Sequence, residues 1–392
     1  MGFENLRPLA PDPLLALMGR FRTDSRDRKM DLGVGVYRDA AGQTPVFQAV
    51  KQAEARLLHG QRTKAYLGVE GDPAFVALLG ARIFGAGRAL PGLQTVGGTG
   101  ALRLAADLLA RSRPGRRIWL GTPSWPNHAP IFAAAGLHTM GFDLFHPGTT
   151  RPRPEAMLEA LAASTPGDAV LIHGCCHNPT GIDPDEAAMA EIATLMAARG
   201  LIPLVDIAYQ GLGRGWQADG EATRRLVARV PTVLVAASCD KNFGLYRERT
   251  GALFVASPTR AEAQSLCSHL AALARAAYSM PPDHGAAVVR TILEDGDLTE
   301  LWSAELEAMR GRIGRTRAAL AAYGRVGGID LAALASGLGM FAMLKLTPAQ
   351  IDRLQAEFGI YMAQSGRINI AGLAEDDIDP FVEALRAVLG VG

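Results

Sequence analysis

The sequence predicts an α/β fold, a largely parallel sheet with helices on both faces. From about residue 45 to 290, apolar runs of four to seven residues alternate with Ala/Leu-rich helical stretches. Strands of a parallel sheet are buried on both faces, so they read as continuous apolar runs. Aromatic residues make up only 6% of the chain, while Ala and Gly are plentiful, which favours closely packed helices and tight turns over a β-sandwich. The 392 residues exceed what one compact core usually holds, so two domains are expected.

Pro8, Pro11 and Pro13 make the first dozen residues an extended arm. A short helix is expected over 14–21, and 31–37 ("DLGVGVY") reads as a strand that bends at its two glycines. Further strands are expected at 117–120, 169–173, 202–206, 232–236 and 251–256, with helices at 100–110 and 184–198. Trp302, Leu306, Met309 and Ile313 recur at spacings of four, three and four. They form one apolar stripe on a long helix that could bridge two domains. Beyond it lies a smaller α+β texture, with strands at 340–345 and 367–370 and a helix at 348–358.

Composition excludes several classes. Hydrophobic residues at 48% and charged residues at 20% are ordinary for a globular protein. Lys plus Arg is 40 against 39 acids, a net charge of +1, so no broad basic field exists for nucleic acid or an anionic membrane. Cys175 and Cys176 are adjacent while Cys239 and Cys267 stand alone, so neither a disulfide framework nor a C-x-x-C pair is present. No run of about 18 apolar residues occurs, and residues 1–20 lack the pattern of a leader. A cytoplasmic protein is expected.

Ligands of such sheets sit outside the carboxyl ends of the strands, so the residues after each apolar run matter most. Four polar clusters follow. "TVGGTGALR" places Gly97, Gly98, Thr99 and Gly100 at a helix start, where free N–H groups and the dipole suit a phosphate. The plain alternative is a glycine-rich turn. "HGCCHNPTG" ends a strand in polar residues, and Asn178 is a fixed donor. His173 and His177 lack a third ligand at zinc spacing, so no metal is expected. "LIPLVDIAYQG" ends a buried strand on Asp206, with Tyr209 three residues later. A buried carboxylate needs a cation or donors, or it caps the next element. "ASCDKNFGLYRERTG" ends a strand in Ser238, Asp240 and Lys241, with Arg249 eight residues beyond the lysine. Together these supply a phosphate cradle, an acid, a phenol, an amide and a lysine at one sheet edge. That set suits pyridoxal 5'-phosphate, which needs a lysine at its aldehyde and an acid near its ring nitrogen.

The segments "TVGGTGALR", "PSWPNH", "HGCCHNPTGID", "DIAYQGLGRG", "KNFGLYRERTG", "YSMPPDHGA" and "SGRINIAG" occur in an order that resembles the class I aspartate and aromatic amino-acid aminotransferases, of the fold-type-I pyridoxal-phosphate superfamily. The resemblance spans nearly the whole chain. It implies a large domain with a mostly parallel seven-stranded sheet covered by helices, plus a smaller α+β domain. The expected division is an arm over 1–12, small-domain segments over 13–44 and 306–392, and a large domain over 45–305.

The resemblance also implies roles. Lys241 would hold the cofactor as a Schiff base and shuttle the proton between substrate Cα and cofactor C4′. Asp206 would pair with the ring nitrogen, supported by His128. Tyr209 and Asn178 would bond the ring's phenolic oxygen, and Trp125 would stack on the ring. Gly98, Thr99, Ser238 and Arg249 would hold the phosphate, with Tyr66 reaching over from a second subunit of a homodimer. Arg367 would take the substrate α-carboxylate through a bidentate pair. Gly35, Trp125 and Asn178 would line the substrate, and Arg275 would bind a distal carboxylate across the dimer interface.

One residue departs from the pattern. The family usually has Ser or Thr before the lysine, whereas here Asp240 stands there. Two like charges about 4 Å apart repel by roughly 4 kcal/mol at an effective dielectric of 20. Asp240 therefore turns away, is protonated, or weakens the cofactor's retention, and weaker retention is the expectation.

Ala65, Ala277 and Met280 stand where aspartate specialists tend to have polar pocket residues. With "APDPLLALMG" and "AEFGIYM", they point to bacterial aromatic aminotransferases. Transamination of Phe, Tyr or Trp, with Asp also accepted, against 2-oxoglutarate is expected. The alternatives are an aspartate specialist or another pyridoxal-phosphate reaction. A cofactor-sensing regulator would need a basic DNA-binding extension, which residues 1–30 are too few and not basic enough to supply.

Overall fold

The computed structural model describes residues 2, 3, 6–8, 11–85, 87–146, 149 and 151–391. Of the arm expected over 1–12, residues 1, 4, 5, 9 and 10 lie outside the described residues, and the others carry no helix. Gly392, at the end of the expected small domain, also lies outside them. The first helix, Pro13–Thr23, begins where Asp12 accepts hydrogen bonds from the amides of Leu14 and Leu15. This is an N-cap with proline in the first turn.

The chain divides into two compact units. One comprises Pro45–Ile313 and Ser336–Gly339, the other Met1–Thr44, Gly314–Ala335 and Met340–Gly392. The division falls within one helix, Gly296–Ala321, and the boundary expected at 305/306 lies earlier in that helix.

The larger unit holds a seven-stranded sheet. Its strands are β1 (Gly92–Val96), β2 (Arg117–Thr122), β3 (His138–Asp143), β4 (Ala169–His173), β5 (Ile202–Ile207), β6 (Val233–Ser238) and β7 (Thr250–Ala256). Their order in space is β1-β7-β6-β5-β4-β2-β3. Only β7 runs against its neighbours. Central strands β6 and β7 are buried at every position, which is why they read as unbroken apolar runs.

The reversed strand sets up the site. In register, β7 places Gly251 opposite Ser238, and Thr250 opposite Val96. The residue before β7, Arg249, therefore reaches the sheet edge where β6 ends. The helix Gly97–Ser112 begins at that edge directly after β1, three residues earlier than the expected 100. At the same edge His173 lies opposite Asp206, and Asp206 opposite Ala236.

Trp302, Leu306, Met309 and Ile313 are all buried, as the apolar stripe requires. Trp302 stacks on Phe243 with ring centroids 4.5 Å apart, and its Nε1 donates to the Asn242 carbonyl at 2.7 Å. This clamps the turn that follows Lys241.

The smaller unit contains short strand pairs and the helix Pro348–Phe358, closed by a Thr347/Gln350 capping box. Phe341–Met343 pairs antiparallel with Arg367–Asn369, and Met30–Asp31 pairs parallel with Ile360–Tyr361. The strand expected over 31–37 is not formed beyond Asp31. Asp31 Oδ1 accepts from the amides of Gly33 and Val34, so the side chain turns the backbone out of the ladder.

Candidate active site

The carboxyl ends of β4, β5 and β6 deliver three polar groups to one edge. Asp206 on β5 is buried, and its Oδ2 lies 3.0 Å from Nε2 of the fully buried His128. His128 Nδ1 in turn lies 2.8 Å from Ser124 Oγ. Burial works to raise the Asp206 carboxyl, but the His128 hydrogen bond, helped by the charges of His128 and Lys241, outweighs it and holds the group below the usual carboxylate range. Asp206 is thus a carboxylate built into the strand end, not a helix cap.

Two further histidines back this pair. The rings of His173 and His177 lie 4.1 Å apart, and His173 meets His128 edge-on at 5.2 Å. Burial pushes the His173 imidazole down to about 3, and His177 well below its ordinary value, so both are neutral at pH 7. Trp125 meets His128 edge-on at 5.1 Å.

Tyr209 and Asn178 are both buried, and Asn178 Nδ2 donates to the Tyr209 hydroxyl at 3.2 Å. Lys241 Nζ lies 5.5 Å from the centre of the Tyr209 ring. Phenol, amide and amine are therefore gathered at one place.

At the other end lies the cradle. Gly97 opens its helix at φ 64°, and among the described residues no side chain caps this end, so the first N–H groups are available to an anion. A Cβ at Gly97 would meet Arg249 Nη2 at 2.7 Å, and one at Gly98 would meet Ser238 Cβ at 3.0 Å. The glycines thus let an arginine and a serine close on the helix start. Thr99, half-buried, lies in the same first turn.

Asp240 does not turn away from this cradle. Its Oδ2 accepts from Arg249 Nη1 at 2.6 Å and lies 3.6 Å from Lys241 Nζ. The first alternative raised by the sequence is therefore corrected. A buried carboxylate without a cation is costly, and the nearest cation is the cradle arginine.

The chain matches the family model for aminotransferase class I and II over residues 27–385. It belongs to that family. This aminotransferase is 54% identical over 374 residues to the tyrosine aminotransferase of Rhizobium meliloti (strain 1021), covering 95% of this chain and 96% of that one. It is 42% identical over 395 residues to the aspartate aminotransferase of Salmonella typhi, covering 99% and 100%. Among solved structures it superposes on the aromatic-amino-acid aminotransferase of Burkholderia pseudomallei, covalently bound to pyridoxal phosphate. That match has a TM-score of 0.95 and 37% identity, and covers 99% of this chain and 100% of that one. The fold is that of the fold-type-I pyridoxal-phosphate enzymes. The residues present fit that cofactor: the glycine cradle for a phosphate, the low-lying Asp206 for a ring nitrogen, and Lys241 for an aldehyde.

In the smaller unit of the aminotransferase, Arg367 is buried. Its guanidinium lies over the Phe341 ring at 4.7 Å, and Nη2 donates to the Gly33 carbonyl at 2.6 Å. A Cβ on Gly35 would come within 2.8 Å of Phe341 Cζ. Asn369 Nδ2 donates to the carbonyls of Val34 and Val36, both at 2.7 Å. The strand Arg367–Asn369 thereby rivets the 33–36 loop.

Tyr66 is 93% exposed, and Arg275, also exposed, bonds Ser279 Oγ at the end of the helix Arg260–Ala277. Two contributors escaped sequence reasoning. Ser124 orients His128 and carries no signal beyond lying four residues before it. Asp183 accepts from the amides of Cys176 and His177 at 2.7 and 2.9 Å and fixes the loop that carries Asn178. An Asp soon after the Asn-Pro turn was the available clue.

Proposed function

We propose that this aminotransferase moves an amino group between an aromatic amino acid (Phe, Tyr or Trp, with Asp also accepted) and 2-oxoglutarate, using pyridoxal phosphate held at Lys241. The observation that carries the cofactor assignment is the Ser124–His128–Asp206 relay behind Lys241, with the glycine cradle beside it. Bound pyridoxal phosphate supplies an aldehyde for the amino group and a ring that accepts electrons when the α-proton leaves.

The chain's own residues do the rest. Asp206, kept ionised by His128, holds a proton on the ring nitrogen. Tyr209 and Asn178 would hold the phenolic oxygen, and Trp125 would stack on the ring. Gly98, Thr99, Ser238 and Arg249 bind the phosphate, together with Tyr66 of a second copy. Lys241 takes the proton from substrate Cα and returns it at the cofactor's 4′ carbon. Arg367 binds the substrate α-carboxylate, with Gly35 beside it, and Arg275 of a second copy binds a distal carboxylate. The exposure of Tyr66 and Arg275 supports a homodimer with shared sites. No helix of the described residues is long and apolar enough to cross a membrane.

Aromatic preference rests on Ala65, Ala277 and Met280, small or apolar residues at positions expected to line the distal pocket. A steady-state scan of amino donors with 2-oxoglutarate tests it. The expected kcat/KM for Phe and Tyr equals or exceeds that for Asp. Values orders of magnitude below Asp make the protein an aspartate specialist, the reading that the 42% identity to an aspartate aminotransferase favours.

A further inference from the structure

Lys241, which would move the proton, and Tyr209, which would hold the phenolic oxygen, stand on different loops, one after β6 and one after β5. A lysine side chain is a flexible four-carbon stem, so where its amine works depends on how its backbone is anchored. The anchor is the next residue. Asn242 is 3% exposed, and its side chain crosses to the other loop. Its Nδ2 donates to the carbonyl of Gln210, the residue after Tyr209, at 3.3 Å. The residue that follows the lysine is thus bonded to the residue that follows the tyrosine.

One helix backs both loops. Trp302 and Leu306 lie one turn apart on Gly296–Ala321, about 6 Å along its axis. Trp302 Nε1 donates to the Asn242 carbonyl, and Leu306 packs against Gly211, where a Cβ would come within 2.5 Å of Leu306 Cδ2. Gln210 Nε2 donates to the Trp216 carbonyl at 2.9 Å, and the Trp216 ring meets Trp302 edge-on at 5.1 Å. The contacts close into a ring that runs from Trp302 through Asn242, Gln210 and Trp216 back to Trp302. Asn242 holds its place in this ring at a cost. Its Oδ1 is buried with no hydrogen-bond partner among the described residues, which weakens a core. Residues that break a local packing rule concentrate where function uses them.

We infer that Asn242 is a positioning residue that fixes the separation of Lys241 from Tyr209, with Trp302 holding Asn242 in turn. The inference rests on the reading of Lys241 as the cofactor lysine and of Tyr209 as the partner of the ring's phenolic oxygen. Lys241 Nζ lies 5.5 Å from the centre of the Tyr209 ring. A displacement of about 1 Å in a reacting group can cost on the order of a hundredfold in rate.

Two variants test this. Asn242→Ala removes the bond to Gln210. Trp302→Phe keeps a ring against Phe243 and removes the donor to Asn242. In each, kcat should fall by about tenfold to a hundredfold while KM stays within about threefold, because Arg367 is untouched. The double variant should lose less than the product of the two single losses, since both act on one turn. The second readout is the pH titration of the loaded enzyme's visible band. A hydroxyl that donates to the phenolic oxygen favours the deprotonated form, so loosening Tyr209 from Lys241 should raise the midpoint by at least about half a unit. If the variants lower only the melting temperature and leave kcat and the midpoint at wild-type values, Asn242 serves packing alone and the inference is overturned. If neither variant folds, hydrogen exchange on wild type decides. The Trp302 indole N–H should exchange only through global unfolding, and rapid exchange overturns the inference. A wild type that shows no visible band with pyridoxal phosphate overturns the cofactor reading instead.

Discussion

Asp206 and Asp240 both follow from buried, adjacent strands, yet the fold treats them differently. Asp206 ends a relay in which each group has a defined neighbour, from Ser124 through His128 to the carboxylate. Asp240 has one oxygen on an arginine whose side chain is 38% exposed and another with no partner among the described residues. The first environment commits a carboxylate to one charge state. The second leaves one carboxylate oxygen buried without a partner among the described residues. A buried acid at a strand end is therefore not one feature with one meaning; its use depends on whether its lone pairs are already spoken for.

The contrast can be broken by experiment. Asp206→Asn should cost the most, lowering kcat/KM by roughly 10²- to 10⁴-fold while the phosphate end still binds. If Asp206→Asn were no worse than Asp240→Asn, the two acids would not differ in kind. Arg249→Ala should raise the cofactor's Kd by about tenfold to a hundredfold, from the loss of hydrogen bonds to a charged group. Equilibrium titration followed by absorbance measures this. The double variant with Asp240→Ser should lose less than the sum of the single changes, because each single change strands the other's partner.

His128→Phe sharpens the other half. Without the hydrogen bond from His128, burial dominates and the Asp206 carboxyl moves up. A carboxyl with a higher pKa is protonated at a higher pH, so the acid limb of the kcat/KM profile should shift to higher pH, with about a tenfold loss at neutrality. An unmoved limb would remove His128 from the relay. A last prediction concerns stability rather than catalysis and belongs to His173. Its imidazole stays neutral in the fold down to about 3, whereas the unfolded chain takes up a proton below 6.5. Stability is therefore full above 6.5 and declines as pH falls towards 3, by at most about 1.4 kcal/mol per pH unit. His173→Gln should flatten that slope in urea titrations near about pH 7 and 5.

Much of this was legible in the sequence. Apolar runs gave away β4, β5 and β6 because strands buried on both faces leave little room for polar residues. Lys241, Asp206 and Gly97 stood out because polar groups and glycines are costly at such positions unless something uses them. The strand expected over 31–37 failed for a local reason. The Asp31 side chain competes for the amides of Gly33 and Val34, and hydropathy is blind to that. The partner of Asp240 was hidden too. Nothing in "CDKNFGLYRERTG" announces that Arg249 adopts a positive φ, yet that backbone turn accompanies its contact with the aspartate. Ser124 and Asp183 escaped because their work is to orient other side chains, which needs coordinates.

The pairing of Met30–Asp31 with Ile360–Tyr361 has a consequence during synthesis. The strand made among the first residues must wait for a partner made among the last. At roughly 5–20 residues per second, that wait is on the order of tens of seconds. The larger unit meets a milder delay, since only Ser336–Gly339 arrives late. Its Leu338 amide donates to the Gly181 carbonyl at 2.7 Å. On the ribosome, the sheet and its cofactor cradle can take shape while the earliest residues of the chain are still without the strand that receives them.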